Sequence, residues 1–263
     1  MIVLGCDVGA LATKTVLLEN GRLLAHTIAA NEGRPKAVAA GSIDDLLTKA
    51  GISMKDIRAC GGTGRGEKYI SVPHSVEGMM NCLARGTLWT LPEAGTIVDL
   101  GGLGSTAVSI NDKGKVLEYR SNDRCAAGTG FFLELAAQAL ELTVDELGPL
   151  SRQAKERVQI SSQCAVFRES EIVTHVNDGK DVADIVAGIN YSLGIAAATM
   201  VRRLGGRPEL TVTGGTAKNE GVVEALEANV GMTVRRVGID PQLIGAIGAA
   251  LGAAASLSMQ ETG

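Results

Sequence analysis

The sequence predicts an α/β protein made of two duplicated lobes. The first observation behind this prediction is an internal repeat, in which residues 2–21 align with residues 97–114 when Asp7 is placed on Asp99. Each copy is typical of a strand, an Asp-x-Gly turn, a second strand, a Gly-containing turn and a third strand. The second observation is that helical patterns alternate with these strand-rich units, which favours sheets covered by helices.

Apolar residues at helical spacing and glycine stop signals predict the other elements. The predicted helices cover residues 42–50, 76–88, 183–204, 219–230 and 243–257, and one more helix is expected after each of the motifs 122–130 and 161–164. A strand with a loop is predicted over residues 58–65, and further strands over residues 209–213 and 233–237.

The repeat also predicts the domain organisation, because no Pro/Ser-rich linker separates the two copies. We expect lobe I to comprise residues 1–92, completed by a C-terminal helix at residues 243–259 that returns to pack on it. Lobe II is expected to comprise residues 93–242.

Composition limits the classes of protein to consider. In this chain of 263 residues, a hydrophobic content of 45% with only 3% aromatic residues indicates a core of Val, Ile, Leu and Ala. The net charge of −4 and the lack of a basic stripe with interleaved aromatics argue against a nucleic-acid partner. The apolar segment 243–257 is rich in Gly and Ala and short for a bilayer span, so a packed helix is expected and no membrane partner.

The N-terminus and the cysteines indicate the compartment. The chain runs from Met1 straight into the first predicted strand, without a secretory signal. Its five cysteines form no CxxC pair, so a disulfide framework is not expected. A cytoplasmic protein is the resulting prediction.

The Asp-x-Gly turns are candidate phosphate-binding loops. Such turns expose backbone N–H groups with little side-chain obstruction, and an Asp beside them can hold Mg²⁺. A single glycine hairpin is most often only a hairpin, but two related loops followed by a third Thr-Gly-Gly loop at a strand end form a rarer set. The expected nucleotide contacts are Gly9, Thr13, Lys14, Gly101, Gly102, Gly104, Gly128, Thr129, Gly130, Gly214, Gly215, Lys218 and Asn219.

Two cysteines each precede a predicted amphipathic helix. Cys125 lies in the motif Asn-Asp-Arg-Cys-Ala-Ala-Gly-Thr-Gly of residues 122–130, and Cys164 ends the motif Ser-Ser-Gln-Cys of residues 161–164. A thiolate at a helix N-terminus lies at the positive end of the helix dipole, which favours metal-bound sulfur. A lone cysteine is more often a small buried residue. We expect the other three cysteines, Cys6, Cys60 and Cys82, to be such small buried residues.

These motifs resemble those of a known group of proteins. The three glycine loops are similar to the phosphate-1, phosphate-2 and adenosine loops of the actin-like ATPase and sugar-kinase superfamily, which has a ribonuclease H-like fold. The cysteine motifs, with residues 160–171, 185–189 and 213–219, resemble one branch, the BadF/BadG/BcrA/BcrD ATPase family. That family includes activators of 2-hydroxyacyl-CoA dehydratases and ATPase subunits of benzoyl-CoA reductases. The resemblance covers nearly the whole chain and implies a nucleotide cleft between two lobes.

The resemblance implies an ATPase that acts as a one-electron donor. In this family a single [4Fe–4S] cluster bridges two subunits, so Cys125 and Cys164 are the implied ligands. A homodimer supplies the four thiolates, and a heterodimer with a paralogue is the open alternative. The other implied cofactors are ATP or ADP and Mg²⁺, with Asp7 and Asp99 as metal ligands. The implied acceptor is an iron–sulfur dehydratase or reductase, or a double-cubane-cluster protein. A ferredoxin or flavodoxin is the implied electron donor.

The expected hydrolytic site departs from the family pattern. Leu103 and Gly104 stand where a Gln and an Asp are usual, and residues 10–14 replace small hydroxyl residues. The candidate catalytic residues are therefore Asp7, Asp99, Ser105 and Thr106. Two other functions stay open: a small-molecule kinase of the same superfamily, which needs an Asp as general base, and a non-hydrolysing scaffold that responds to ATP.

Overall fold

The structure, a computed structural model, describes residues 1–122, 129–160 and 165–261, with only the backbone described for residues 165, 166, 260 and 261. The strands in chain order are β1 Ile2–Val8, β2 Ala12–Glu19, β3 Arg22–Ala30, β4 Ile57–Thr63, β5 Ser75–Val76, β6 Thr96–Leu100, β7 Ser105–Ile110, β8 Val116–Asn122, β9 Leu210–Thr213 and β10 Val234–Arg236. The helices are α1 Pro35–Ala50, α2 Met79–Thr90, α3 Gly130–Ala139, α4 Val144–Ser151, α5 Ala165–Asn177, α6 Val182–Leu204, α7 Glu220–Val230 and α8 Ile244–Glu261.

The chain divides into two compact units. Unit 1 comprises residues 1–94, 110–116 and 237–263, and unit 2 comprises residues 95–109 and 117–236. The C-terminal helix therefore belongs to unit 1. The tip of the β7–β8 hairpin, residues 110–116, also belongs to unit 1, although the predicted boundary placed it in lobe II.

Unit 1 is a sheet of five strands covered by helices on both faces. Its order is β3-β2-β1-β4-β5, with β1 antiparallel to β2 and parallel to β4. Successive side chains of a strand point to opposite faces. Leu4 accordingly packs in a cluster with Ile43 of α1, whereas Val3 packs in a second cluster with Ile247 of α8.

Glycine and alanine let α8 approach the rest of unit 1 closely. A Cβ at Gly5 of β1 would overlap the carbonyl oxygen of Ala246, and a Cβ at Gly248 would overlap the carbonyl oxygen of Cys82 in α2. The Gly/Ala-rich segment at the end of the chain is thus a packed helix.

Unit 2 repeats the sheet topology of unit 1. Its order is β10-β9-β6-β7-β8, with β6 antiparallel to β7 and parallel to β9. Val8 pairs with Thr13 across the first hairpin, and Leu100 pairs with Ser105 across the second. The predicted duplicated α/β fold is therefore confirmed at the level of strand order and hairpin register.

The core of unit 2 is built around α6. Its residues Ile185, Ile189 and Leu193 recur at helical spacing and are buried together with Phe132 of α3 and Ile172 of α5. The predicted apolar face of α5 is only partly buried, since Val173 and Val176 are 46% and 43% exposed.

Sequence patterns located most helices but not all of their ends. Helix α1 begins seven residues before the predicted residue 42, because Pro35 fits the first helical position, where its missing N–H costs nothing. Helix α4 was not predicted; it contains Pro149 and begins with a capping box of Thr143 and Glu146.

By length and composition alone, two helices are long and apolar enough to cross a membrane. They are Val182–Leu204 and Pro241–Met259, with mean hydropathies of 1.3 and 1.5. In the described chain, 61% and 56% of these windows are buried inside the protein, as in core helices.

Candidate functional site

The predicted phosphate-1 loop is the turn between β1 and β2 in unit 1. The N–H of Gly9 donates to the carbonyl oxygen of Ala12 at 3.0 Å and closes the turn. A Cβ at Gly9 would lie 2.8 Å from both this oxygen and Nζ of Lys14, so the tight turn requires glycine.

The carboxylate of Asp7 lies beside this loop in a restricted environment. Nζ of Lys14 lies 2.7 Å from its Oδ2, and the two side chains are only 12% and 17% exposed. The backbones of Gly64 and Gly245 approach the same carboxylate so closely that a Cβ at either would press on it. The loop thus has a fixed acidic group and a neighbouring cation.

Thr13 was predicted to contact nucleotide, but its hydroxyl bonds to another side chain of the protein. It is fully buried, and its hydroxyl donates to Oδ1 of Asn31 at 2.7 Å. The Asn31 amide in turn donates to the carbonyl oxygen of Gly9 at 2.8 Å. No sequence motif marks Asn31. It lies beside the loop because β2 pairs with β3 so that Ala12 faces Ala30, the residue before Asn31.

The predicted phosphate-2 loop is the turn between β6 and β7 in unit 2. The N–H of Gly101 donates to the carbonyl oxygen of Gly104 at 2.9 Å. Asp99 precedes the loop, and its Oδ1 accepts a hydrogen bond of 2.8 Å from the buried hydroxyl of Thr213. Gly214, in the left-handed region at φ 85°, passes so close that a Cβ would lie 3.0 Å from the same oxygen.

The phosphate-2 loop also forms the cap of helix α3. The N–H of Gly130 donates to the carbonyl oxygen of Gly101 at 3.0 Å, and the N–H of Phe131 donates to that of Gly102 at 2.8 Å. Thr129, at the N-cap position, makes no side-chain capping bond. Orphan N–H groups of a helix start are usually satisfied by such a side chain. Here the loop satisfies two of them instead.

The third glycine loop contacts the same helix start. Gly215–Lys218 forms a short 3₁₀ turn after β9. The side chain of Thr216 is buried at 5% exposure, and its Oγ1 has no hydrogen-bond partner among the described residues. A Cβ at Gly130 would lie 2.9 Å from this oxygen and 3.5 Å from the carbonyl oxygen of Gly101. A side chain at the first position of α3 would therefore press on Thr216.

Asn219 is buried in a structural network, although it was predicted to contact nucleotide. Its Oδ1 accepts from the N–H of Val222 at 3.2 Å and caps α7. Its Nδ2 donates to Oδ1 of Asn190 at 2.9 Å. Lys218, by contrast, is exposed at the end of the 3₁₀ turn.

Ser105 and Thr106, which are also predicted to be catalytic, are buried. They are 1% and 4% exposed, because both lie within the first residues of buried strand β7. The hydroxyl of Thr106 lies 3.1 Å from that of Ser121 in β8. The catalytic role of Ser105 and Thr106 stays a prediction, and it requires these buried hydroxyls to become accessible.

Comparison with known proteins covers nearly the whole chain. The sequence model of the BadF/BadG/BcrA/BcrD ATPase family matches residues 4–253. The chain belongs to this family.

Relatives of this BadF/BadG/BcrA/BcrD ATPase share about a third of its residues. The 2-hydroxyisocaproyl-CoA dehydratase activator of Clostridioides difficile is 35% identical over 251 residues, which cover 95% of this chain and 94% of the relative. The activator of lactoyl-CoA dehydratase of Anaerotignum propionicum is 36% identical over 251 residues, covering 95% and 96%. A benzoyl-CoA reductase component of Thauera aromatica is 33% identical over 261 residues, covering 95% and 92%.

Solved structures confirm the actin-like ATPase fold. The activator of the 2-hydroxyisocaproyl-CoA dehydratase from Clostridium difficile with bound ADPNP superposes with a TM-score of 0.94 at 34% identity, over 100% of this chain and 97% of that one. Component A of the (R)-2-hydroxyglutaryl-CoA dehydratase from Acidaminococcus fermentans gives a TM-score of 0.93 at 33% identity, over 98% and 99%.

The cysteines of this family member fall into two groups. Burial, followed by the charge of Asp7, raises the pKa of Cys6 from 9.0 to about 12. Burial likewise raises the pKa of Cys82 to about 11 and raises that of Cys60. These three thiols are poor sources of thiolate. The predicted ligands Cys125 and Cys164, like Gly128, lie outside the described residues.

Proposed function

We propose that this protein is an ATP-driven one-electron donor that holds one [4Fe–4S] cluster between the two subunits of a homodimer. Its acceptor is an iron–sulfur enzyme such as a 2-hydroxyacyl-CoA dehydratase, a benzoyl-CoA reductase or a double-cubane-cluster protein, and its own reductant is a ferredoxin or flavodoxin. Family membership and the similarity to dehydratase activators and to a benzoyl-CoA reductase component support this function.

The observation that carries the proposal is the capping of α3 by the phosphate-2 loop. Gly101 and Gly102 accept hydrogen bonds from the first two N–H groups of this helix. Cys125 lies five residues before Gly130 in the sequence. A loop that responds to phosphate is thus bonded to the helix that follows a proposed cluster ligand, which is what coupling of ATP to electron transfer requires.

Each loop has the chemistry to bind part of a nucleotide. The glycine turns offer backbone N–H groups to phosphate oxygens, and Lys14 offers a cation that now pairs with Asp7. Carboxylates are ligands that Mg²⁺ favours, and Asp7 and Asp99 supply one to each loop. Thr213 holds the Asp99 carboxylate in one orientation. We assign Thr13 to the support of the phosphate-1 loop and not to contact with the nucleotide.

The donor set fits an iron–sulfur cluster only across a dimer. Of five cysteines per chain, Cys6, Cys60 and Cys82 are disfavoured as thiolates by burial. The remaining Cys125 and Cys164 supply two thiolates, and a [4Fe–4S] cluster takes four. A two-fold axis supplies the second pair. When bound, the cluster contributes the one-electron chemistry.

ATP can drive the cycle only if it binds one conformation of α3 more tightly than another. In this chain the hydrogen bonds from α3 to Gly101 and Gly102 are the contacts that a bound phosphate would alter. Typical coupling free energies of about 1–3 kcal/mol would change the exposure of the cluster by roughly 5- to 150-fold.

The experiment measures that coupling on the protein itself. Anaerobically purified dimer is treated with an iron chelator in the presence of MgADP or of a non-hydrolysable Mg·ATP analogue, and the rate of iron release is followed by absorbance. The proposal predicts release at least about fivefold faster with the ATP analogue. Equal rates in the two nucleotide states, or an iron-free dimer that phosphorylates a sugar, would overturn it.

A further inference from the structure

We infer that Asn31 is the positioning residue of the phosphate-1 loop, and that this loop binds phosphate through the backbone N–H groups of Ala10 and Leu11. The inference rests on the proposed nucleotide function and adds how this chain achieves binding without hydroxyl side chains at these two positions.

The side chain of Asn31 uses both of its N–H hydrogens and its oxygen in contacts with the loop and with Thr13. Its Nδ2 donates to the carbonyl oxygens of Gly9 at 2.8 Å and of Ala10 at 3.3 Å. Its Oδ1 accepts the hydroxyl of Thr13 at 2.7 Å, and Asn31 is only 2% exposed. A buried amide with both N–H hydrogens and its oxygen bonded fixes the groups around it, because each lost bond leaves a buried polar atom unpaired.

Fixing two carbonyls also fixes two N–H groups. In a trans peptide the C=O of one residue and the N–H of the next point in opposite directions. The carbonyls of Gly9 and Ala10 point to Asn31, so the N–H groups of Ala10 and Leu11 point away from it. Among the described residues, neither N–H has a hydrogen-bond acceptor.

The backbone of Asn31 also bonds to the loop and to the residue that precedes helix α1. Its N–H donates to the carbonyl oxygen of Leu11 at 2.7 Å, and its carbonyl oxygen accepts from the N–H of Arg34 at 2.7 Å, next to the start of α1. Two adjacent outward N–H groups on a rigid turn form an anion-binding concavity. The side chains of Ala10 and Leu11 add no polar group, so phosphate recognition at these positions rests on the backbone.

The test compares three sets of variants by calorimetric titration with MgADP and by the ATP dependence of hydrolysis. Asn31→Asp keeps the shape of the side chain but places oxygens against the carbonyls of Gly9 and Ala10. We expect its Kd for MgADP and its KM for ATP to rise about tenfold or more, with kcat at saturating ATP changed less than about threefold. Thr13→Val should give a smaller rise, and Thr13→Ser should restore the wild-type value. The third variant, Thr27→Val, lies outside the loop and serves as the control.

A matched control separates positioning from stability. Thr27→Val removes the buried hydroxyl contact of 2.5 Å with Thr15 in the same unit without touching the loop, and should lower Tm with KM unchanged. A folded Asn31→Asp variant with wild-type Kd overturns the inference. If that variant does not fold, a stable Thr13→Val variant with wild-type Kd and KM overturns it. Wild-type protein that binds no nucleotide would contradict the proposed function itself.

Discussion

Phe131 donates its backbone N–H to the carbonyl oxygen of Gly102 at 2.8 Å, and this bond joins helix α3 to the phosphate-2 loop. A side chain at the N-cap would accept hydrogen bonds from the helix start and leave it without bonds to the loop. A cap formed by loop carbonyls instead makes the helix sensitive to any rotation of the loop peptides, which is the property that the proposed function uses.

Gly130→Ala should uncouple nucleotide binding from this helix. The added Cβ would lie 2.9 Å from Oγ1 of Thr216, so the helix start or the third loop must shift. We expect the nucleotide-dependent difference in iron release to fall about tenfold while MgADP affinity changes less than about threefold, a separation of about 1.4 kcal/mol from coupling alone. The double variant with Thr216→Ala removes the clashing oxygen and should recover coupling. Lack of recovery would show that Thr216 is not the obstacle.

Thr213→Val should weaken the binding of magnesium nucleotide. The substitution keeps the shape but removes the hydroxyl that donates to Asp99 at 2.8 Å, leaving a carboxylate oxygen with one fewer donor. A loss of about 1–3 kcal/mol, or roughly 5- to 150-fold in Kd, is expected by titration with MgADP. Thr211 lies on the same strand and donates to the carbonyl oxygen of Arg235, so Thr211→Val is the control. Equal effects of the two variants would argue against a role for Asp99.

Gly248→Ala should destabilise unit 1. The new Cβ would overlap the backbone carbonyl of Cys82, so α8 and α2 must separate at a cost of about 1–3 kcal/mol. Gly41→Ala is the matched substitution in the exposed part of α1, where nothing lies within 4 Å of the added atom. It should stabilise the protein by about 0.5–1 kcal/mol. Thermal unfolding of both variants measures the difference, and a stable Gly248→Ala protein would contradict the packing of α8.

Cys6 should make stability fall at high pH. Its folded pKa is raised from 9.0 to about 12, first by burial and then by the charge of Asp7. A raised folded pKa gives a contribution that is complete below pH 9.0 and is lost as the pH rises towards about 12. Urea unfolding between pH 8 and 11 should therefore show a shallower loss for Cys6→Ala than for wild type. Parallel profiles would mean that the native thiol ionises without cost.

The sequence predicted the architecture well because the architecture depends on local patterns. The Asp-x-Gly turns around Asp7 and Asp99 mark equivalent hairpins, and their register agrees with the alignment of the repeat. Helices with strong apolar spacing, such as α6, were predicted nearly to their ends.

Site details depend on contacts between distant segments and were harder to predict. Asn31 reaches the phosphate-1 loop through the pairing of β2 with β3, and no motif marks it. Thr106 was predicted to be catalytic from its place after a glycine loop, but β7 directs its hydroxyl to Ser121. Thr13 and Asn219 have the right residue type and loop, yet buried partners use their polar atoms.

Iron and acid-labile sulfide content, measured with native mass after anaerobic purification, tests whether one cluster is shared by two subunits. We predict a dimer with roughly four irons and four sulfides in total, and near-complete loss of both in Cys125→Ala and Cys164→Ala proteins that still bind MgADP. A monomer with a full cluster, or cysteine variants that retain it, would contradict the shared site.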